Sequence, residues 1–224
     1  MARFNLLGTA IIPGQGTELR LLQRNDEFAI KIAGNTGELM NTRLHGSEDA
    51  LATLACERIV NRPEPRVLIG GLGMGFTLAA ALSSLGDTAE VTVAELVPEV
   101  VDWNKGPLGS ASGYPLSDDR ARVHIGDVGE LMRSAESAYD AILLDVDNGP
   151  EGLTRKENDW IYSPEGLKVA RKALRPNGIL AYWSAGPDNT FTARLKKAGY
   201  TVEAVTVRAH RPGKGAKHVI WLAW

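Results

Sequence analysis

From Arg66 onward the chain alternates between two patterns. Strand-like apolar runs fall at Arg66–Ile69, Val91–Ala94, Arg122–Ile125, Ala141–Leu144, Ile179–Trp183, Thr201–Val207 and Val219–Ala223. Helical stretches fall between the earlier runs, at Phe76–Leu85, Pro98–Asn104, Val128–Ser134, Ser163–Leu174 and Thr190–Ala198. Strands that are apolar at consecutive positions need cover on both faces, so the alternation predicts a mostly parallel sheet with helices on either side. The last two runs are joined only by Ala209 to Lys217, rich in Gly and Pro, which suits an antiparallel pair at the end of the sheet. The expected fold class is α/β, a doubly wound, Rossmann-like sheet with an antiparallel last strand.

Ahead of this region, Leu19–Gln23 and Glu27–Ile32 are short, partly alternating runs around Arg24-Asn25-Asp26, the composition of a hairpin turn. Residues 1–45 are therefore expected to form a small β element, with the main domain over 46–224. Two strands are marginal alone, so this element should pack on the main domain or on another subunit. A helix is expected after Ser47, read as its N-cap, with Glu48 and Asp49 in the first turn and Leu51, Leu54, Ala55 and Ile59 at helical spacing. Asn61-Arg62-Pro63-Glu64-Pro65 stops it.

Composition narrows the function classes. The formal net charge is −2, without the basic excess that phosphate backbones demand, so a nucleic-acid partner is not expected. No apolar run approaches a membrane span, and the N-terminus lacks a signal-peptide layout, so the reading is a cytoplasmic chain with no membrane partner. The single cysteine, Cys56, lies in an apolar run and cannot form an internal disulfide. The four histidines show no metal-ligand spacing, and no metal is expected.

In a doubly wound sheet, ligands sit beyond the carboxyl ends of the strands, where strand order reverses. Gly70-Gly71-Leu72-Gly73-Met74-Gly75 follows the first strand, a loop whose backbone can approach a ligand closely. Glu95 follows the second strand, where a carboxylate can accept from both ribose hydroxyls. Asp127 follows the third and can accept from an adenine amine. Asp145 and Asp147 follow the fourth, two acids in three residues at the ligand edge of a central strand. If they share one environment, one pKa should rise unless a cation lies between them. Glycine loop and Glu95 together point to a ribonucleoside, without separating a dinucleotide from an adenosyl-sulfonium.

With these features in order, the chain resembles class I S-adenosylmethionine-dependent transferases, and within them the spermidine synthases. The resemblance runs from about Leu39 to Trp183. It rests on Val67-Leu-Ile-Gly-Gly-Leu-Gly-Met-Gly75, Val93-Ala-Glu95, His124-Ile-Gly-Asp127, Tyr139-Asp-Ala-Ile-Leu-Leu-Asp145 and Leu174-Arg-Pro-Asn-Gly-Ile179. His45-Gly-Ser-Glu48 is similar to the family's N-terminal segment, in which a Glu lies near the amine site. The resemblance implies transfer of an aminopropyl group from decarboxylated S-adenosylmethionine to a diamine, in polyamine biosynthesis. Carried over, Gly71, Gly73 and Gly75 line the nucleoside, Glu95 holds the ribose, Asp127 holds the adenine and Asp145 is the catalytic acid. Asp147, Glu48 and Tyr162 are candidates for the amine substrate. A homodimer is admissible, because the family commonly associates through N-terminal β elements.

Two departures bear on the donor. The family usually carries an Asp where this chain has Gly73, and that Asp attracts the ammonium of the decarboxylated donor while repelling the carboxylate of ordinary S-adenosylmethionine. The family's acidic loop, Asp-Ser-Ser/Thr-Asp-Pro, here reads Asp145-Val-Asp-Asn-Gly-Pro. A methyltransferase using ordinary S-adenosylmethionine with an unknown acceptor, and a non-catalytic nucleoside-binding protein, therefore stand as alternatives.

Overall fold

Along each central strand, successive side chains enter two different cores. Val67 and Ile69 pack into one hydrophobic cluster and Leu68 into the other. Ala141 and Leu143 oppose Ile142 and Leu144 in the same way, and so do Ile179 and Ala181 against Leu180 and Tyr182. This period of two, with both faces apolar, is what a sheet buried on both sides requires. The computed structural model describes residues 3–35, 37–146, 160–210 and 214–224.

Among the described residues, seven strands form the main sheet: β5 (Arg66–Gly70), β6 (Glu90–Glu95), β7 (Ala121–Ile125), β8 (Tyr139–Leu144), β9 (Leu174–Ser184), β10 (Val202–His210) and β11 (Lys214–Ala223). Their order is β10-β11-β9-β8-β5-β6-β7. The five strands from β9 to β7 run parallel, and β11 lies antiparallel between β9 and β10. The fold class matches the expectation, with the last strand placed inside the sheet so that β10 becomes its edge.

Helices α1 (Gly46–Cys56), α2 (Phe76–Ser84) and α3 (Pro98–Lys105) cover one face, burying Leu51, Leu78 and Val100. Helices α5 (Val128–Ser134), α6 (Pro164–Ala173) and α7 (Asn189–Lys197) cover the other, burying Met132, Leu167 and Phe191. A short α4 (Gly109–Ser112) precedes β7. Ser163 and Asp188 cap α6 and α7 by accepting from the backbone N–H of Gly166 and Phe191.

The N-terminal element is larger than two strands. β1 (Asn5–Ile11), β2 (Glu18–Arg24), β3 (Glu27–Ile32) and β4 (Met40–Asn41) form an antiparallel sheet. Leu19, Leu21, Phe28 and Ile30 join the core cluster that also holds Val67, Leu78 and Val97, so the small sheet packs on the main domain. The hairpin of β2 and β3 turns at Asn25, in the left-handed region at φ 54°. β1 escapes a sequence reading because Gly8 interrupts it. A Cβ there would sit 2.7 Å from Trp103 Nε1, so the glycine marks a close approach rather than a break. The expected division at residue 45 falls between Asn41, the end of β4, and Gly46, the start of α1.

Helix α1 starts two residues earlier than its sequence suggests. Its N-cap is His45, whose side chain makes no capping bond, and Ser47 lies inside the first turn, fully buried. The reading of Ser47 as N-cap is therefore corrected. Gly46 allows this early start, because a Cβ there would lie 3.0 Å from the Arg208 carbonyl oxygen. Cys56 is buried in the apolar face of α1, where burial pushes its thiol up to about 12, consistent with a packing role.

Candidate functional site

The chain reverses direction across the sheet between β5 and β8, and backbone hydrogen bonds continue past the strand ends at that point. Gly71 N–H donates to the Ala94 carbonyl, Asp145 N–H to the Gly70 carbonyl and Gly126 N–H to the Glu95 carbonyl, each at 2.9 Å. These bonds hold the loops after β5, β6, β7 and β8 against one another. Gly71 has φ +91°, and a Cβ on it would overlap the Asp145 carbonyl. Only glycine permits the loop to lie this close to β8.

Glu95 fastens the glycine loop from the side. Its Oε2 accepts from Leu72 N–H at 3.0 Å and its Oε1 from Val97 N–H at 2.9 Å. Burial raises its pKa, against the pull of these backbone donors. The backbone N–H groups of Gly73 and Leu96 also favour its charged form, so the carboxylate is held firmly at the mouth of the loop. Asn104, fully buried on α3, anchors the loop from below by donating to the Gly73 carbonyl at 2.9 Å.

Two cavities meet at this switch point. The first is lined by Ile12 just after β1, Leu19 and Ile30 of the small sheet, Gly71 and Gly73, Glu95 with Leu96 and Val97, and Gly126 with Asp127 and Val128. Apolar walls with carboxylates at two ends suit a nucleoside, whose base is flat and whose sugar is polar. Asp127 caps α5 through Oδ1, which accepts from Gly129 N–H at 2.6 Å. The cap leaves the Asp127 Oδ2 lone pairs as acceptors beside this cavity.

The second cavity adjoins the first, sharing Leu39, Met40, Gly73, Asp145 and Val146, and adds Glu48, Met74, Phe76, Thr77 and Trp183. Two carboxyl groups thus face one small space. Asp145 accepts from Thr77 Oγ1 at 2.9 Å, yet burial pushes it up to about 6. Glu48 accepts from Ser47 Oγ at 2.6 Å, and burial, with the Asp145 charge next, pushes it up to about 7. Both shifts mean that ionising the pair without a cation is unfavourable.

The structure brings together Gly71, Gly73, Glu95, Asp127, Asp145 and Glu48, while Gly75 sits behind the loop. A Cβ on Gly75 would lie 2.8 Å from both Asn104 Oδ1 and Ser112 Oγ, so its role is packing under the loop. Tyr162 is not brought to the site. It is 2% exposed and packs in the second core against Tyr182 and Phe191, with ring centroids 5.4 and 5.3 Å away, so its reading as an amine-substrate residue is corrected. Asp147 lies outside the described residues. Sequence reasoning missed Thr77 and Met40. Thr77, the one hydroxyl in the first turn of α2, was the available signal. Met40 carried none, because β4 is only two residues long. Among the described residues, no group of three His, Cys, Asp or Glu side chains is placed to hold a metal ion. No helix among them is long and apolar enough to cross a membrane.

Comparison with known proteins fits this geometry. A polyamine aminopropyltransferase of Korarchaeum cryptofilum is 31% identical over 127 residues, covering 57% of this chain and 37% of the relative. Polyamine aminopropyltransferase 2 of Bacillus cereus is 30% identical over 156 residues, covering 62% of this chain and 39% of the relative. The chain thus spans about two fifths of the length of these relatives. The crystal structure of spermidine synthase from Thermotoga maritima superposes with a TM-score of 0.73 at 17% identity, covering 97% of this chain and 71% of that one. A spermidine synthase in complex with the transition state analogue AdoDATO gives the same TM-score at 16% identity, over 99% of this chain and 73% of that one. These two likenesses carry the fold. Residues 49–191, which contain the glycine loop, Glu95, Asp127 and Asp145, match the spermine/spermidine synthase domain model, and the chain belongs to that family.

Proposed function

We propose that this protein transfers an aminopropyl group from decarboxylated S-adenosylmethionine to a small amine. The observation that supports this reading is the pair of buried acids, Glu48 and Asp145, lining one cavity beside Gly73. Both are raised by burial, so the cavity favours an occupant that brings positive charge. A diamine does so at neutral pH. The nucleoside occupies the adjoining cavity, with Glu95 at the ribose and Asp127 at the base.

The chemistry balances without a metal step. The acceptor ammonium gives one proton to a carboxylate, Asp145 as the base, and becomes a nucleophilic amine. Its nitrogen lone pair forms the new C–N bond as the C–S bond of the donor breaks, and that bond pair stays on sulfur. The product amine keeps its remaining protons and leaves positively charged, and a neutral thioether nucleoside remains. Holding both reactants in adjoining cavities supplies much of the rate. Asp147, Glu48 or both would receive the distal ammonium of the acceptor.

A second reading, methyl transfer from ordinary S-adenosylmethionine, is favoured by one observation. A Cβ at Gly73 would meet only Met40, so no side chain from the loop excludes the carboxylate of the donor. Against it, Glu48 and Asp145 place negative charge in the same cavity, and that charge repels a carboxylate. A non-catalytic nucleoside-binding role would leave the acid pair without a purpose.

The test is product mass spectrometry after incubation with each donor and a set of common diamines. Polyamine and thioether nucleoside formed from the decarboxylated donor, and abolished by Asp145→Asn in a folded protein, is the expected result. Absence of polyamine with every diamine, together with binding of ordinary S-adenosylmethionine, would replace this reading with methyl transfer.

A further inference from the structure

Glu48 does not end at the cavity. Behind it, Ser47 Oγ lies 2.6 Å from Glu48 Oε2, and His218 Nδ1 lies 2.8 Å from the same Ser47 oxygen. Ser47 is fully buried, so these two contacts are its polar environment, and His218 is half-buried on β11. The three groups come from two ends of the chain, and the close packing of Gly46 against the Arg208 carbonyl brings them together. Ser47, Glu48 and His218 all fall outside the 49–191 segment that matches the family model.

We propose that Ser47 and His218 form a proton relay that orients the Glu48 carboxyl and carries the Glu48 proton to solvent as that acid ionises on amine binding. A serine hydroxyl has one hydrogen, so the chain of three can be polarised in two ways. With Glu48 ionised, Ser47 donates to Glu48 and His218 Nδ1–H donates to Ser47. With Glu48 protonated, Glu48 O–H donates to Ser47, Ser47 donates to a bare Nδ1, and the imidazole carries its proton on Nε2. Passing from the second arrangement to the first moves the Glu48 proton to Ser47, the Ser47 proton to Nδ1 and the Nε2 proton to water. One proton leaves, and no group gains a net charge except the carboxylate.

The surroundings fit a neutral imidazole. Burial lowers the pKa of His218, and its ring meets the Trp183 ring edge-on at 4.7 Å. The nearest charged neighbours on its strand pair, Lys217 and Arg208, lie one residue along and so point to the opposite face. Glu48 is faced by Asp145 from the end of β8, which Thr77 of α2 holds, and by His45 at the start of α1. His45 itself bonds Asp49 at 3.0 Å and stacks on Phe76.

The role in turnover rests on the aminopropyl-transfer reading, but the relay itself can be read without turnover. Ring-¹⁵N histidine spectra of the full unliganded chain are followed through the Glu48 titration, which carboxyl-¹³C spectra report in parallel. The expected result is a switch of His218 from the Nδ1–H to the Nε2–H form at the same midpoint at which Glu48 gains its proton. Ser47→Ala should uncouple the two and raise the proton affinity of Glu48 roughly tenfold, because a donor to the charged form is lost. A His218 spectrum that is unchanged across the wild-type midpoint, or that switches equally in Ser47→Ala, would overturn the relay. A coupled switch in a protein that makes no polyamine would leave the relay standing and remove the transfer reading.

Discussion

Thr77 Oγ1 donates a 2.9 Å hydrogen bond to Asp145 Oδ2, tying the first turn of α2 to the end of β8 across the glycine loop. Among the described residues it is the one side-chain bond holding down the pKa of an acid that burial has pushed up to about 6. Thr77 is buried and lines the same cavity as Asp145. The contact therefore fixes both where the acid points and how readily it ionises.

Replacing that hydroxyl by a methyl should raise Asp145 further. For Thr77→Val the midpoint is expected to move up by about one unit, worth about 1.4 kcal/mol. At neutral pH the base would then be more often protonated, and turnover should drop about twofold while recovering above pH 8. Thr77→Ser should behave as wild type. Superimposable pH–rate profiles for Val and wild type would show that the bond does not tune the acid.

The raised acids make unliganded stability depend on pH in a defined direction. Glu48 ordinarily titrates near 4.5 and is pushed to about 7 in the fold. Its contribution is therefore fully present below about pH 4.5 and lost as pH rises through about 7. Asp145, moved from 3.8 to about 6, has the same sign. His218, lowered by burial, works in the opposite sense, so the comparison is best made by difference. Urea unfolding at pH 5 and pH 8 should show Glu48→Gln gaining stability over wild type at the higher pH, by roughly 2 kcal/mol. A diamine should reverse the trend in wild type, because it binds the ionised pair. Equal differences at both pH values would mean that Glu48 is not strained by its burial.

Glu95 carries structure and recognition together. Glu95→Ala would strip the acceptor from Leu72 N–H and Val97 N–H, both in buried surroundings, at a cost of about 1–3 kcal/mol each. Gln is no rescue, since its amide offers one acceptor oxygen and turns a donor toward the other N–H. Calorimetric titration with the thioether nucleoside should show affinity reduced by at least about 100-fold, and thermal unfolding should show a lower midpoint. Unchanged nucleoside affinity in a destabilised Glu95→Ala protein would assign the residue to the loop alone.

Much of this was legible in the chain, for a physical reason. Strands buried on both faces leave continuous apolar runs, and Arg66–Ile69, Val91–Ala94 and Ala141–Leu144 could be placed to within a residue or two. The ligand-facing acids were legible because they follow those strands directly, as Glu95, Asp127 and Asp145 do. What failed depends on contacts distant in sequence. β1 was hidden because Gly8 reads as a breaker until Trp103 is seen against it. Ser47 reads as a cap until β10 and β11 pack over it and His218 claims its hydroxyl. Tyr162 follows the acidic loop in sequence, yet Tyr182 and Phe191 draw it into the core. Periodicity reports the neighbours along the chain and is silent on these.

The donor preference turns on Gly73, and its geometry permits a direct test. Its φ is +51°, in the left-handed region that Asp tolerates better than most residues, and a Cβ there would lie 3.3 Å from the flexible Met40 Sδ. Gly73→Asp should therefore fold, unlike a substitution at Gly71, where a Cβ would overlap backbone. The new carboxylate would border both cavities, close to Asp145 and Glu48. Three acids around one space should sharpen discrimination, weakening ordinary S-adenosylmethionine by about tenfold, roughly 1.4 kcal/mol, while the decarboxylated form binds as well or better. Calorimetry with both donors measures this directly. If the variant weakens the two donors equally, the chain beyond sulfur does not face residue 73, and donor choice must be sought at Glu48 and Asp145 instead.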